Sequence, residues 1–371
     1  MKKIYLSLAV VGLLTAQNMM ADTLEKAFKS GTIEGELGVY GQSQDPKASD
    51  RNGFSGGHIM LNYETQSFYN FSLGLGAWAN TIFDDKASGD YDGNTIANKA
   101  IFRQAFIKYE DGELLKVVAG RQEVDFQWMT DFIEGARVDI GYIDNVTMTL
   151  LWAKRQAVVD VDEVGNFEDM NGHKGVFMAD VKYTPFSWLE FNPFYYHAED
   201  KFKAPGMKTT LTFEPMDELK TTTALTYTKG NSEIEGTPDG AVTQFEQGFE
   251  FLGAKLALGY IKVDKDGTAD LNAYGDQMPF EEVQNTLSPD ARTPYISVSY
   301  EIDKLKLETI YGRTKYYDAD ADAKLVEKEF NIKATYEVVK DLEASLMYVN
   351  VKNDDDSQSY NAIKAGVNYK F

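Results

Sequence analysis

The chain predicts an all-β fold, a closed antiparallel transmembrane β-barrel, and three observations carry that expectation. It divides into eighteen stretches of about ten residues in which apolar and polar side chains alternate. The connectors between them alternate short with long, as turns at one rim of a barrel and loops at the other would. Beyond residue 21 no run of eighteen apolar residues exists, so a spanning helix is excluded on length and the barrel is the remaining way to cross a bilayer.

The stretches are 32–42, 55–65, 68–79, 99–109, 114–121, 134–142, 146–154, 174–184, 188–197, 207–214, 218–228, 243–251, 254–263, 293–302, 305–314, 326–338, 342–351 and 361–371. The last is the cleanest. Ile363, Ala365, Val367, Tyr369 and Phe371 share one face, and Lys364, Gly366, Asn368 and Lys370 the other, because successive strand side chains point to opposite sides. The hairpin 207–228 is the weakest, Thr-rich on both faces and short in its first arm; sixteen strands would follow if it were loop. An even count puts both termini on the periplasmic side. Tyr63, Tyr109, Tyr142, Tyr183, Tyr300, Tyr336 and Tyr369 fall at strand ends beside the short turns, where amphipathic rings mark a membrane interface.

Ahead of the first strand, Lys2 and Lys3 precede an apolar run from Ile4 to Leu14 and a small residue, Ala21, which predicts a secretory signal peptide over 1–21 and a barrel domain over 22–371. The destination is the bacterial outer membrane. Mean hydropathy of −0.38 agrees, since half of each barrel strand faces water. The 22 Tyr and 22 Phe supply aromatic girdles, whereas 3 His and no Cys leave little for catalysis. His58, His173 and His197 sit at outer strand ends or loop edges, outside any Gly-x-Ser-x-Gly setting, so an enzyme is not expected. A plug domain or a secreted passenger has no room before the first strand.

A barrel of this size leaves an aqueous channel. Inward positions suit water and carry both signs: Glu34 and Glu36, Arg137 and Asp139, Asp180 and Lys182, Lys306 and Glu308. Strand 99–109 is the exception. Phe102 and Phe106 share a face with Lys108, and Ile101, Ile107 and Tyr109 share one with Arg103, so either parity turns a charge toward lipid.

The runs Ile101-Phe-Arg-Gln-Ala-Phe-Ile-Lys-Tyr109, Ala119-Gly-Arg-Gln-Glu123 and Phe132-Ile-Glu-Gly-Ala136 resemble the OprD-type porin family, in particular the porins and major outer membrane proteins of its campylobacterial branch. The resemblance implies eighteen strands, a third loop folded into the lumen and basic residues on the wall facing it. The matching loop is 122–133; the alternative constricting loop is 264–292. It departs from the family pattern by lacking the Pro-Asn before its Phe-x-Gly segment. Carried over, Glu123, Asp125 and Asp131 fall in the loop, Arg121 belongs to the Gly-Arg-Gln motif, Glu134 leaves the loop, and Arg137 faces inward by its own parity. With Arg103 these residues would set a transverse field across an eyelet. The plainer alternative is solvated loop carboxylates and a wall salt bridge.

The function this implies is passive diffusion of ions and small hydrophilic solutes. The alternatives are a channel specific for small organic acids, amino acids or peptides, and an adhesin or phage-attachment barrel acting through loops 80–98 and 264–292. The formal net charge of −21 becomes −23 when Lys2 and Lys3 leave. Acids of the outer loops, such as Asp84, Asp85, Asp90, Asp92, Asp318, Asp320, Asp322 and Asp354 to Asp356, favour cations at the mouth. Asp264, Asp266 and Asp270 are the only calcium candidates, in a run too short for a twelve-residue calcium loop and without its terminal Glu. No other cofactor is expected. The partners expected are membrane lipid and lipopolysaccharide, a second and third copy in a homotrimer (a monomer being the alternative), and the insertion machinery, for which Tyr369 and Phe371 form an assembly signal read by strand addition.

Overall fold

The computed structural model describes residues 20–86, 100–282 and 285–371. The signal-peptide expectation falls almost wholly on 1–19, and Asp90 and Asp92 on 87–99, outside the described residues.

The first half of the wall is β1 (Thr32–Pro46), β2 (Asn52–Glu64), β3 (Phe71–Asp85), β4 (Ala100–Asp111), β5 (Leu115–Phe126), β6 (Met129–Ile143), β7 (Val146–Ala157), β9 (Val176–Phe186) and β10 (Leu189–Ala198). The second half is β11 (Phe202–Met216), β12 (Leu219–Ser232), β13 (Gly240–Phe251), β14 (Ala254–Val263), β15 (Arg292–Ile302), β16 (Leu305–Asp318), β17 (Ala323–Val339), β18 (Leu342–Asn353) and β19 (Tyr360–Lys370). β8 (Glu168–Asp169) is a two-residue addition to β7 that lies outside the ring. Each wall strand pairs antiparallel with its neighbours, and β1 pairs with both β2 and β19, so the ring closes. Closure satisfies the backbone where lipid offers no partner, and it leaves no edge.

Eighteen wall strands follow the sequence partition, and β11 with β12 belongs to the wall, which removes the sixteen-strand alternative. At the periplasmic rim the turns are tight, with left-handed backbone at Asn145, Glu218, Leu252, Asp303 and Asp341; only Leu252 with Gly253 has it at both central residues, as a type I′ hairpin requires. Tyr142, Tyr183, Tyr300, Tyr336 and Tyr369 stand exposed on the outer face beside these turns. Tyr63 instead donates its hydroxyl to the Phe28 carbonyl of the short helix α1 (Leu24–Lys29), and Tyr109 packs on Phe71.

The parity conflict at Arg103 is resolved by a β-bulge. Gly76 pairs with Gln104 but Ala77 pairs with Phe102, so Arg103 is the extra residue of β4. Above the bulge the parity flips: Phe102 joins Ile107 on the lipid face while Arg103 and Lys108 both turn to the lumen.

Candidate functional site

Residues 122–133 are not a loop. β5 and β6 pair without interruption up to Phe126 and Met129, joined only by Gln127 and Trp128. The hairpin nevertheless leaves the wall. β4 stops pairing with β5 at Arg121, five residues short of the hairpin's end on β5, and β7 stops pairing with β6 at Phe132. The departure passes through Gly120 and Gly135, which are register partners. A Cβ at Gly120 would lie 2.2 Å from the Ala105 carbonyl oxygen, and one at Gly135 2.0 Å from that of Trp152. Only glycine lets these backbones approach so closely, and Gly120 also holds φ of +122°.

The tip reaches wall strands several places further round the ring. The Trp128 indole donates to Thr228 Oγ1 on β12 at 2.9 Å, its backbone N–H to the Tyr196 hydroxyl on β10 at 3.2 Å, and the Gln127 amide to Gln244 Oε1 on β13 at 3.0 Å. Trp128 and Met129 are fully buried there, in an apolar core with Phe194, Tyr196, Phe202 and Val242. Loop 264–291 enters the same core from β14 and β15, burying Leu271, Tyr274, Met278 and Phe280. Burial pushes the Tyr274 phenol up to about 12. A third inward segment, between β7 and β9, packs Val159 and Val164 on Trp78 and Phe132.

One face of the hairpin, Gln122 and Val124, is buried, and the other, Glu123 and Asp125, is exposed. The exposed face looks to the wall of β1–β4. Glu123 interacts electrostatically with Arg103 and with Asp125, Asp131 and Asp160, and Arg103 interacts with Glu123, Glu36, Asp160 and Glu34. Arg103 itself lies against two rings, its guanidinium carbon 4.9 Å from the Phe132 ring centre and 5.7 Å from that of Trp78, with Asn62 Oδ1 at 3.5 Å. Behind Trp78 stacks His58, at 4.5 Å, bonded to Glu36 at 2.9 Å. His58 is thus a buried residue of the lumen wall, not of an outer strand end.

The other expected residues take different places. Asp131 holds a left-handed backbone, φ +70°, and accepts from Thr130 Oγ1. Arg121 and Glu134 are cross-strand partners at 3.1 Å, at the hairpin's base, with Phe167 under the Arg121 guanidinium at 4.3 Å. Arg137 lies lower on β6, paired with Asp139 at 2.9 Å. Arg103, not Arg121 or Arg137, therefore stands opposite the acids. Asp160 and Trp78 were missed by sequence reasoning, which read Glu36 only as an inward wall residue and put His58 at an outer strand end. Asp264 caps the Lys265 N–H, Asp266 pairs with Lys265, and Asp270 sits at the start of a short 3-10 turn, so the calcium candidates do not converge. Among the described residues no three acidic or His side chains are arranged to hold a metal. At the seam, Phe371 exchanges both backbone hydrogen bonds with Gly35, and its ring occupies the space a Cβ on Gly35 would need.

The family model "Putative outer membrane protein" matches residues 10–353. The chain belongs to that family. It is an outer-membrane β-barrel. No curated protein sequence matches it. Solved structures similar to it include Acinetobacter baumannii OccAB3 (TM-score 0.77, 13% identity, 92% of this chain and 99% of that one). Pseudomonas aeruginosa OpdQ (0.74, 15%, 92% and 99%) and OccK9 (0.78, 11%, 93% and 99%) are similar too. At these identities the likeness is one of fold, that of the OprD-type and Occ porins.

Proposed function

We propose that this porin-fold barrel is a water-filled, cation-preferring channel for small hydrophilic solutes, and that its passage runs off-centre, between the wall of β1–β4 and the exposed face of the β5–β6 hairpin. The observation that carries the reading is that one cation, Arg103, interacts electrostatically with Glu123 across that gap, with Asp160, and with Glu36 and Glu34 on its own side of the wall. Arg121 and Arg137 are matched by their own carboxylates, so acid predominates along the passage, and fixed charge at a constriction sets ion preference.

The test is reversal potential across a planar bilayer in a salt gradient. Replacing Glu123, Asp125 and Asp131 together by their amides should move it toward anions even at about 1 M salt, where screening reaches only about 3 Å. The matching triple at Asp354, Asp355 and Asp356, in an exposed outer loop, should act only in dilute salt. Indistinguishable behaviour of the two triples at every concentration would remove the eyelet from the account.

A further inference from the structure

Loop 264–291 touches both the wall and the hairpin, through different residues. On the wall side it is held by Lys364 of β19, whose ammonium lies 2.7 Å from Glu281 Oε1 and 2.7 Å from Glu282 Oε1. All three side chains are nearly buried, about a tenth exposed or less. Glu329 of β17 accepts from the backbone N–H groups of Glu281 and Glu282, and Glu327 accepts from Asn285, so the loop's descending arm is stitched to two wall strands. On the hairpin side, the Gln277 amide donates to Asp125 Oδ1 at 2.9 Å. Gly275 lies so close that a Cβ on it would come within 2.5 Å of the Thr130 backbone nitrogen. Gln156 of β7 ties the two elements, donating to the carbonyls of Thr130 and Tyr274.

Building on the channel reading above, we propose that loop 264–291 is the positioning element of the eyelet, and that Lys364, which does not line the passage, sets its width and ion preference by anchoring that loop. The chain of contacts runs Lys364, Glu281 and Glu282, the loop, Gln277 and Gly275, then Asp125 and Thr130 on the hairpin. Its anchor is the vulnerable point. Without the ammonium, two nearly buried carboxylates lose the cation they share, a loss that costs far more than it would for an exposed pair, and the loop escapes it by moving into water. The hairpin then loses the brace behind Asp125.

The experiment uses the full-length chain refolded into planar bilayers, with single-channel conductance and reversal potential as readouts. Lys364→Met should raise conductance about twofold or more and bring the reversal potential toward zero, as a wider, wetter constriction discriminates less. Lys364→Arg should restore both. A Lys364→Met channel identical to wild type in both readouts overturns the proposal. Because the chain has no Cys, Asp125→Cys with Gln277→Cys can be bridged by a short thiol crosslinker, which covers the case in which Lys364→Met folds poorly. Bridging should return the double-Cys Lys364→Met channel to the conductance of the double-Cys channel that keeps Lys364. Failure to bridge, or bridging without that return, also overturns it. The two readings fail separately: a wild-type chain that conducts nothing sinks the channel, whereas a conducting wild type with an unchanged Lys364→Met sinks only the anchor.

Discussion

The two sides of this lumen are built from the same kind of strand and end up as different materials. Along β9–β17 the inward positions next to the long loops meet Trp128, Met129, Met278 and Phe280 and form a dry core like that of a soluble domain. Along β1–β4 Arg103 interacts electrostatically with Glu123 and Asp160, and the apolar contribution there is the small cluster around Trp78 and Phe132. Barrel width alone does not decide what fills a barrel. Here the contents are decided by the hairpin and loop 264–291, both of which send their apolar face one way and their acidic face the other.

The strongest way to break that contrast is to cut the hairpin from the dry side. Trp128→Ala removes the indole hydrogen bond to Thr228 and leaves a large cavity, costing about 3–5 kcal/mol of local packing. Conductance should rise and ion preference fall, and a tip that stays in place, with wild-type conductance, would show that the remaining contacts suffice.

A second, smaller effect belongs to the closing seam of β1 and β19. Deleting Phe371 empties the slot over Gly35 and removes both backbone hydrogen bonds to it. The inserted, heat-modifiable fraction seen by electrophoresis should drop, with aggregate in the periplasm. Wild-type insertion levels would end the idea that this residue is an assembly signal.

The smallest effect is at the rim. Lys324, hydrogen-bonded to Asp290, holds that carboxyl below its ordinary value, and Lys203 and Lys174 do the same for Glu233 and Asp200. Groups with depressed values stabilise above the unfolded value, about 4, and that contribution is lost as pH falls through the folded one. Loop proteolysis should therefore increase below about pH 4 while the barrel's β spectrum persists. Equal protease resistance at pH 3 and pH 7 would count against these pairs.

What was legible in the sequence was whatever has period two. Strands such as β19 announce themselves, and so do their turns, because lipid on one side and water on the other leave no alternative pattern. The hairpin was hidden by the same rule: Gln122, Val124 and their neighbours alternate equally well on or off the wall. Gly120 and Gly135, equally spaced about the Gln127-Trp128 turn, were the available sign of a bend. Loop 264–291 carried a clearer one, since Leu271, Tyr274, Met278 and Phe280 are too apolar for an outer loop in water. Arg103 could not be read, because its bulge is a property of the pairing of β3 with β4 and not of either strand.

Cysteine scanning tests the two-sided lumen most directly, since the native chain has no thiol to confuse it. Glu34→Cys and Asn62→Cys lie on the wet side; Thr228→Cys and Thr293→Cys replace wall residues that are fully buried on the dry side. A cationic thiosulfonate added to the open channel should react quickly at the first two and reduce the current, and leave the second two unmodified. Equal reaction rates at all four would mean that water passes on both sides of the hairpin, and the off-centre passage would have to be abandoned.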